Sequence, residues 1–185
     1  MSHTLPKITR LYKPSVPDLF GLTNSPIGYF LLAWQNDALV RVALLPAHAE
    51  NDIAPYLADY GLGENIKRND SRAKDVIKTD LFPDNQWHGT PSTQLKLGFY
   101  GTDTQYNILS QMLKIPKGKT LTYGALAEKA KSPGAARVAG SVCAKNPLPF
   151  LIPCHRITAS TGLGDYMYGT ALKRQLLDWE KTISA

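Results

Sequence analysis

The sequence predicts an α+β protein of two domains, an N-terminal α/β domain over residues 1–95 and a mainly helical domain over residues 96–185. Three observations predict this division. Runs rich in β-formers lie in the first half, and helical spacing of apolar residues dominates the second half. Between them, "FPDNQWHGTPST" (82–93) is dense in turn-forming residues. A chain of 185 residues is long enough to give each domain a core of its own.

The first domain contains one hairpin and two helices in this interpretation. The runs "GYFLLAWQ" (28–35) and "ALVRVALL" (38–45) flank Asn36-Asp37, a pair that favours a tight turn. The segment "AENDIAPYLADYG" (49–61) is typical of a helix that ends at a glycine, with Pro55 near its first turn. A second helix of weaker pattern is predicted over 70–82.

Helices fill the second domain. Thr102 and Gln105 have the spacing of a capping box, which predicts a helix from about residue 102 to the break at Pro116 and Gly118. "TYGALAEKAK" (122–131) predicts a short helix with Thr122 as its N-cap. A last helix is predicted over 169–183.

A second short helix follows the first across the tight link "KSPG" (131–134). Ser132 is its predicted N-cap and Pro133 its first helical residue. The pair is a candidate helix-turn-helix. Its second helix is made mostly of small residues around Arg137, and small residues allow close approach to another helix or to a DNA groove. Close packing of two helices is the simpler explanation of the small residues taken alone.

Charge is distributed unevenly along the chain. Residues 1–95 carry nine Lys/Arg and ten Asp/Glu, a net charge of −1, whereas residues 96–185 carry twelve and five, a net charge of +7. A basic module beside a neutral one suggests a polyanionic partner such as nucleic acid. A solvated lysine-rich surface that aids solubility explains the charge equally well.

Composition excludes several classes of protein. No apolar run approaches the roughly 20 residues that span a bilayer, and the polar start "MSHTLPKITRLYKPS" does not resemble a signal peptide. We therefore expect an intracellular protein without a membrane partner. Cys143 and Cys154 are then expected to be free thiols. Two cysteines and four scattered histidines show no zinc-ligand spacing, so no metal site is expected. No other cofactor is expected either.

Cys154 is the candidate nucleophile. It stands in "PFLIPCHRITASTGLGDY" (149–166), between a proline and His155. A cysteine reacts as the thiolate, so a neighbouring group must lower its pKa or accept its proton. His155 can do this through a turn or a bridging water, and Asp165 and Glu180 are the candidate carboxylates that orient the histidine. On this chemistry alone, a buried structural cysteine is the commoner explanation.

The motif "PCHR" followed by Ile157 resembles the signature of the O6-alkylguanine-DNA alkyltransferases, also called methylated-DNA–protein-cysteine methyltransferases. "IPKGKTLTYGALA", "AARVAGSVCAKNPLPFLIPCHRI" and "GLGDYMYGTALKRQLLDWE" resemble successive blocks of that family in the same order. The resemblance covers residues 97–180 closely. In the first half it is loose and lies chiefly in "SPIGYFLLAWQNDALVRVALLP".

The resemblance implies DNA repair by a protein that acts once. The damaged guanine is flipped out of the duplex, and its O6-alkyl group passes to Cys154 without regeneration. His155 would take the thiol proton through a water, and Glu180 would orient His155. Tyr123 would donate a hydrogen bond to the flipped base. Asn146 would hold the turn between the recognition helix and the active-site strand.

The resemblance also assigns the DNA surface and the substrate pocket. Arg137 would fill the gap that the flipped base leaves in the stack, on a recognition helix in the minor groove. The remaining assigned residues are Ala135, Ala136 and Ser141 for DNA contact, and Tyr166, Met167, Ile157 and Pro149 for the pocket. Cys143 is expected to be a core residue. Met167 stands where some relatives have serine, which leaves the accepted alkyl size open.

The implied fold is a ribonuclease H-like α/β domain with a small antiparallel sheet, followed by a winged helix-turn-helix. The implied partner is double-stranded DNA containing O6-alkylguanine, bound by a monomer, with cooperative binding along DNA left open. The implied location is the cytoplasm, near the nucleoid, in a bacterium and the nucleus in a eukaryote.

Two other classes of protein compete with this interpretation. Alkyltransferase-like proteins share the fold and recognise alkylated bases without repairing them, but they usually have tryptophan in place of the cysteine. A multi-turnover Cys–His hydrolase would need an oxyanion hole and would gain nothing from Arg137. Turnover on a thioester substrate separates the hydrolase from the other two.

Overall fold

The computed structural model describes residues 5–11, 16–63, 66–89, 91–92 and 94–183. Parts of the polar N-terminal stretch and two threonines of the turn-rich segment 82–93 lie outside the described residues. The chain forms two compact units. The first comprises the residues up to 86 together with 91–100, and the second comprises 87–90 and the residues from 101 onward. Apart from 87–90, the first unit ends at residue 100, because 97–100 form a strand of its sheet. The sequence places the domain boundary near residue 95.

The first unit is a mixed six-stranded sheet with helices. In chain order its elements are β1 (Ile8–Leu11), β2 (Leu19–Ser25), β3 (Gly28–Gln35), β4 (Ala38–Leu45), α1 (Ala54–Asp59), β5 (Lys67–Arg68), α2 (Asp70–Val76) and β6 (Leu97–Tyr100). Helix α2 continues into a π-helical turn over Ile77–Leu81. Short 3-10 turns lie at Ala47–Glu50 and Pro83–Asn85.

The sheet has the order β1-β6-β4-β3-β2-β5. Strands β2, β3 and β4 are antiparallel, whereas β6 pairs in parallel with both β1 and β4, and β5 pairs in parallel with β2. The sheet is therefore larger than the small antiparallel sheet predicted, and it is mixed. The predicted β3–β4 hairpin is confirmed, with Asn36 and Asp37 both at positive φ (45° and 68°) as a tight two-residue turn requires.

Both faces of the sheet are covered. Phe20 and Leu22 on one face pack in a cluster with Leu57 of α1. On the other face, a Cβ at Gly21 would lie 2.3 Å from the Asn69 carbonyl oxygen and 2.9 Å from the Cβ of Ala73 in α2. Consecutive residues of a strand point to opposite faces, so α1 and α2 lie on opposite sides of the sheet. This explains why the central strand β3 is a continuous apolar run.

The described residues of the second unit form four α-helices and a two-stranded parallel sheet. Its elements are α3 (Asp103–Leu113), β7 (Leu121–Thr122), α4 (Tyr123–Lys129), α5 (Ala136–Ala144), β8 (Ile157–Thr158) and α6 (Thr170–Ile183). Helices α4 and α5 pack against each other, and α3 packs against both. The core is formed by apolar side chains of all three, among them Ile108, Leu109, Met112, Leu126, Ala127 and Ala139.

Local capping determines where two of these helices begin. The Thr102 hydroxyl accepts a hydrogen bond from the Gln105 amide, and the Gln105 side chain accepts one from the Thr102 amide, which confirms the predicted capping box. Thr122 caps α4 by accepting from the Ala125 amide, as predicted. The predicted start of α5 at Ser132 is wrong. Gly134 has φ +77°, a left-handed conformation that a helix excludes, so α5 begins at Ala136, three residues after the predicted first helical residue Pro133.

No helix among the described residues is long and apolar enough to cross a membrane.

Candidate functional site

Cys154 lies in a single 3-10 turn, Cys154–Arg156, in the second unit. Residues 147–152 before it form bends and turns, and strand β8 (Ile157–Thr158) follows it directly. Asn146 holds these turns together: its side-chain amide donates to the Ile152 carbonyl at 2.8 Å, and its side-chain oxygen accepts from the Leu148 amide at 3.0 Å. The turn directs three consecutive side chains to different surroundings, although all three are buried.

His155 is paired with Glu180 of α6. Nε2 of His155 lies 2.8 Å from Oε1 of Glu180, and both side chains are fully buried. An ionised carboxylate only accepts hydrogen bonds, so Nε2 carries the hydrogen. In the neutral imidazole, Nδ1 then holds a lone pair. Within the described part of the chain, this buried Nδ1 has no hydrogen-bond partner. The histidine therefore presents a free base on the side of its ring away from Glu180.

Arg156 forms the second half of the Glu180 site. Its Nε donates to Oε2 of Glu180 at 2.9 Å and its Nη2 to Oε1 at 2.8 Å, a bidentate ion pair. Nη1 donates to the Ile115 carbonyl at 2.7 Å, and Nη2 also donates to the Gly89 carbonyl. The guanidinium thus links the 3-10 turn to α6 and to two loops.

Backbone and indole donors complete the surroundings of the carboxylate. The Gly118 amide donates to Oε2 of Glu180 at 3.1 Å, and Trp87 Nε1 donates to Oε1 at 3.3 Å. The Trp87 ring also packs edge-on against His155, with 5.7 Å between ring centroids. Together these hydrogen bonds replace the hydration that the Glu180 carboxylate loses on burial.

The pKa values follow from these contacts. Burial alone would raise the pKa of Glu180, but hydrogen bonds from His155 and Arg156 and their positive charges outweigh it and lower the pKa to about 2. Burial lowers the pKa of His155, although Glu180 acts in the opposite direction. At neutral pH the resting site therefore contains an ionised Glu180 and a neutral His155.

The thiol of Cys154 is also neutral at rest. Burial raises its pKa to about 11, while a hydrogen bond from Asn146 and the positive charge of Lys173 act to lower it. At pH 7 the thiol therefore keeps its proton. A reaction at this sulfur requires that a base removes the proton as the bond forms.

A cavity of about 600 Å³ opens beside the thiol. Its size is in the usual range for small-molecule and base pockets. It is lined by Tyr123, Ala136, Arg137, Gly140, Cys143, Ala144, Cys154, Ala159, Gly164, Asp165, Tyr166 and Met167. The α5 part of this lining consists of small side chains apart from Arg137, which leaves the space open between the helix and the loop over 159–168.

The structure brings many of the residues expected from the sequence to this cavity. Tyr123, Ala136, Arg137, Cys154, Tyr166 and Met167 line it. Its wall includes Cys143, which was expected only as a core residue; the thiol is buried and points its Sγ to Met112 Sδ at 3.8 Å. The expected DNA-contact residues Ala135, which directly precedes α5, and Ser141 of α5 are not in the lining, and neither are the expected pocket residues Pro149 and Ile157, which are buried.

Three residues of the site were not anticipated from the sequence. Arg156 was noted only as part of the "PCHR" motif, yet it pairs with Glu180. Trp87 lies outside the matched motifs and reaches the site from the turn-rich segment. Lys173 is fully buried near the cavity. Lys173 lies four residues after Gly169 and one turn before Leu177, which places a basic residue on the apolar side of the last helix. That position was the available signal in the sequence.

Among the residues that the structure describes, no group of three or more His, Cys, Asp or Glu is placed to hold a metal ion.

This geometry defines a class of protein in which a buried thiol borders a cavity and the histidine after it pairs with a buried carboxylate. Comparison with known proteins narrows the class. Residues 103–182 match the model of the DNA-binding domain of 6-O-methylguanine DNA methyltransferase. The methylated-DNA–protein-cysteine methyltransferase of Mycobacterium tuberculosis is 31% identical over 162 residues, which cover 86% of this chain and 90% of that protein.

One further relative and one solved structure support the same family. A probable methylated-DNA–protein-cysteine methyltransferase of Acanthamoeba polyphaga mimivirus is 39% identical over 89 residues, 48% of this chain and 60% of that protein. The crystal structure of Mycobacterium tuberculosis OGT in complex with DNA has a TM-score of 0.67 and 27% identity, covering 89% of this chain and 93% of that one. The chain belongs to the 6-O-methylguanine DNA methyltransferase family, as the sequence motifs indicate.

Proposed function

We propose that this protein repairs DNA by transferring the alkyl group of O6-alkylguanine to Cys154, once per molecule. The observation that carries the proposal is a buried thiol at the wall of a cavity of about 600 Å³, next to a histidine with a free basic nitrogen, in a chain of this family. Relatives named methylated-DNA–protein-cysteine methyltransferases support the reaction type. The DNA complex of the M. tuberculosis protein supports DNA as partner.

The transfer step uses the resting protonation states. The sulfur of Cys154 attacks the alkyl carbon, the bond from that carbon to guanine O6 breaks, and the bonding electrons stay with the guanine. The thiol proton passes to Nδ1 of His155, directly or through a water. Glu180, ionised at neutral pH, stabilises the imidazolium that forms.

Tyr123 offsets the charge on the departing guanine. It lines the cavity, and its hydroxyl lies 3.5 Å from the Asp165 carbonyl, a long contact that is readily exchanged for a stronger one. Burial raises the pKa of Tyr123, so the phenol keeps its proton and donates a hydrogen bond to the base. Tyr166 and Met167 form the wall against the alkyl group.

A base must leave the duplex to reach a buried thiol. Extrusion costs a few kcal/mol, least for a damaged base. Arg137 is exposed on α5 at the cavity and fills the space that the base leaves, with its charge suited to the surrounding phosphates. The exposed Ser141 and the small residues Ala135 and Ala136 let α5 approach the minor groove closely. Because the minor groove carries little sequence information, binding depends weakly on sequence.

The high pKa of Cys154 has a consequence for a protein that acts once. A free thiolate would react with any electrophile in the cell and waste the molecule. A neutral thiol, with the base behind it, reacts mainly when a substrate occupies the cavity. The burial of the site thus serves selectivity at a cost in intrinsic nucleophilicity.

Intact-protein mass after incubation with a duplex that contains a single O6-methylguanine tests the proposal. We expect a gain of one methyl group per protein, mapped to the Cys154 peptide rather than the Cys143 peptide, and no second gain with excess duplex. Cys154→Ala should show no gain yet still bind the alkylated duplex. Tight binding without any methyl gain by the unaltered protein would instead place it among proteins that sense alkylated bases.

A further inference from the structure

A short piece of the turn-rich segment, residues 87–89, lies against Glu180 in the second unit. The residues on either side of 87–90 belong to the first unit. The transfer step does not use this piece of chain. We propose that residues 87–89 form a strap that positions the base of the reaction: Trp87 holds the His155 ring with Nδ1 free, and the strap keeps water from the His155–Glu180 pair.

Two polar groups of the strap bind the ion pair. Trp87 Nε1 donates to Oε1 of Glu180 at 3.3 Å, and the Gly89 carbonyl accepts from Nη2 of Arg156 at 2.5 Å. Because Nη2 of Arg156 also donates to Oε1, these hydrogen bonds form a ring that closes through the strap backbone. Oε1 is the same oxygen that lies 2.8 Å from His155 Nε2. The strap therefore contacts the atom that orients the histidine.

The close fit of the strap requires glycine at residue 89. Gly89 has φ +66°, and a Cβ there would lie 2.8 Å from Oε1 of Glu180, 2.9 Å from Nε1 of Trp87 and 3.1 Å from Nη2 of Arg156. The first two distances are shorter than a Cβ tolerates, and the third leaves little room. The strap backbone thus occupies the space beside these polar atoms, where water would otherwise solvate the carboxylate.

The Trp87 ring packs edge-on against two neighbouring rings. The ring centroids lie 5.7 Å apart for Trp87 and His155 and 6.2 Å apart for Trp87 and Phe150, with interplanar angles of 72° and 77°. Edge-to-face packing of this kind favours one orientation of each ring. The imidazole is then held at Nε2 by Glu180 and across its ring by Trp87. Both contacts must break before the ring turns and Nδ1 changes place.

Loss of the strap should change the basicity of His155 in a defined direction. The charged or titratable groups that act on His155 or lie near it are Glu180, Arg156, Lys173, Lys117, Cys154 and Tyr166. Burial has the largest effect and lowers the pKa of His155, whereas the Glu180 carboxylate raises it. Water that enters beside the pair relieves the effect of burial. The pKa of His155 should then rise toward the usual value of a solvated histidine.

¹⁵N NMR of labelled histidine measures the tautomer and the titration midpoint of His155 without DNA, so it does not depend on the proposed function. The full chain is titrated, and the signals of its four histidines are assigned by single substitutions. Trp87→Ala removes the indole donor and the ring. We expect the His155 midpoint to move up by about one pH unit, and the Nδ1–H tautomer to appear beside the Nε2–H tautomer.

Trp87→Phe separates the ring from the donor. Phenylalanine keeps an aromatic ring against His155 but has no N–H, so we expect a single tautomer and an upward shift of less than about half a pH unit. Trp179→Ala is the matched control. It makes the same substitution at a partly exposed residue of α6 next to Glu180, and consecutive helical residues point about 100° apart. It should leave the tautomer and the midpoint unchanged.

A strap that only stabilises the fold would give a different result. If Trp87→Ala lowers the unfolding temperature but leaves the His155 tautomer and midpoint unchanged, the positioning role is wrong. An equal change in Trp179→Ala would also overturn it. Should Trp87→Ala not fold, Trp87→Phe decides the question, since an unchanged midpoint in that variant contradicts the role of the indole donor.

A pair of glycine substitutions gives an independent comparison. Gly89 and Gly61 have nearly the same φ, +66° and +67°, but an added Cβ would meet neighbouring atoms at Gly89 and nothing within 4 Å at Gly61. Backbone strain is therefore similar in the two alanine variants. We expect the His155 midpoint to shift in Gly89→Ala and to stay in place in Gly61→Ala. No shift in Gly89→Ala would contradict the close fit of the strap.

Methyl transfer from the O6-methylguanine duplex is then measured with the same variants at saturating duplex, and this arm rests on the proposed function. We expect transfer to be about tenfold slower in Trp87→Ala and within about threefold of the unaltered protein in Trp87→Phe. Duplex affinity should stay the same, because neither Trp87 nor Gly89 is among the described residues that line the cavity.

The two arms distinguish the strap from the proposed function. If the unaltered protein transfers no methyl group while the His155 tautomer and midpoint respond as expected, the proposed function fails and the hold of the strap on the histidine stands. If transfer proceeds normally in Trp87→Ala, the role of the strap in the reaction fails.

Discussion

Replacing Glu180 by glutamine removes one negative charge and almost no volume from the centre of the second unit. The carboxylate accepts hydrogen bonds from His155, Arg156, the Gly118 amide and Trp87. Glutamine keeps one acceptor oxygen, but its NH₂ group must face donors, and the buried Arg156 guanidinium loses its counter-charge. We expect a marked loss of stability from this one substitution.

The magnitude follows from the pKa of Glu180. A carboxyl group whose pKa falls from 4.5 to about 2 on folding contributes about 3 kcal/mol at neutral pH, at about 1.4 kcal/mol per pKa unit. Because Glu180 is fully buried, solvent screens its interactions little. Breaking a buried ion pair by removing one partner costs about 3–5 kcal/mol in other proteins. Both routes give a loss of about 3–5 kcal/mol for Glu180→Gln.

Urea unfolding at pH 7, and then at a series of lower pH values, measures this loss. Because the pKa of Glu180 is lower in the folded protein, its stabilisation is complete above about pH 4.5 and is lost as the pH falls toward about 2. The unaltered protein should show this acid-dependent loss, and Glu180→Gln should lack that part of it. Glu180 also raises the pKa of His155, so the variant has a weaker base and should transfer alkyl groups more slowly.

Asp178→Asn is the control for this prediction. It makes the same change of carboxylate to amide on the same helix, where Asp178 pairs with Lys181 at an exposed site. Its free energy of unfolding should stay within about 0.5 kcal/mol of the unaltered protein. If Glu180→Gln is no less stable than Asp178→Asn, the Arg156–Glu180 pair does not hold the site together.

Two further substitutions test other parts of the structure. Arg137→Ala should slow methyl transfer from duplex DNA and leave unchanged the rate at which the Cys154 thiol reacts with iodoacetamide in the absence of DNA. A normal transfer rate in this variant would count against the role of Arg137 in base extrusion. Gly21→Ala should destabilise the first unit by about 1–3 kcal/mol in urea unfolding, because the added Cβ would meet the Asn69 carbonyl oxygen at 2.3 Å. Gly63→Ala, with open space around it, should be close to neutral, and equal losses in both would contradict this account of the packing of α2 on β2.

Elements that depend on neighbouring residues were predictable from the sequence. The β3–β4 hairpin follows from a two-residue turn that must adopt positive φ. Helices α3 and α4 begin at Thr102 and Thr122 because a threonine hydroxyl at that position caps the amide three residues later. The start of α5 was mispredicted although Ser132 and Pro133 fit the rule, because Gly134 takes a left-handed conformation. Glycine adopts both the helical and the left-handed conformation readily, so the sequence alone does not show which of the two Gly134 takes.

The sequence by itself indicated the family and made Cys154 the candidate nucleophile, because "PCHR" and its flanking blocks are contiguous stretches that can be compared directly. Tertiary structure alone decided what surrounds that group. Glu180 meets Arg156 across 24 residues, and Arg156 meets the Gly89 carbonyl across 67. The burial of Lys173, the place of Cys143 in the cavity wall and the pKa values of the site depend on such long-range contacts. Desolvation and Coulomb interactions act through space, so they are set only once the chain has folded.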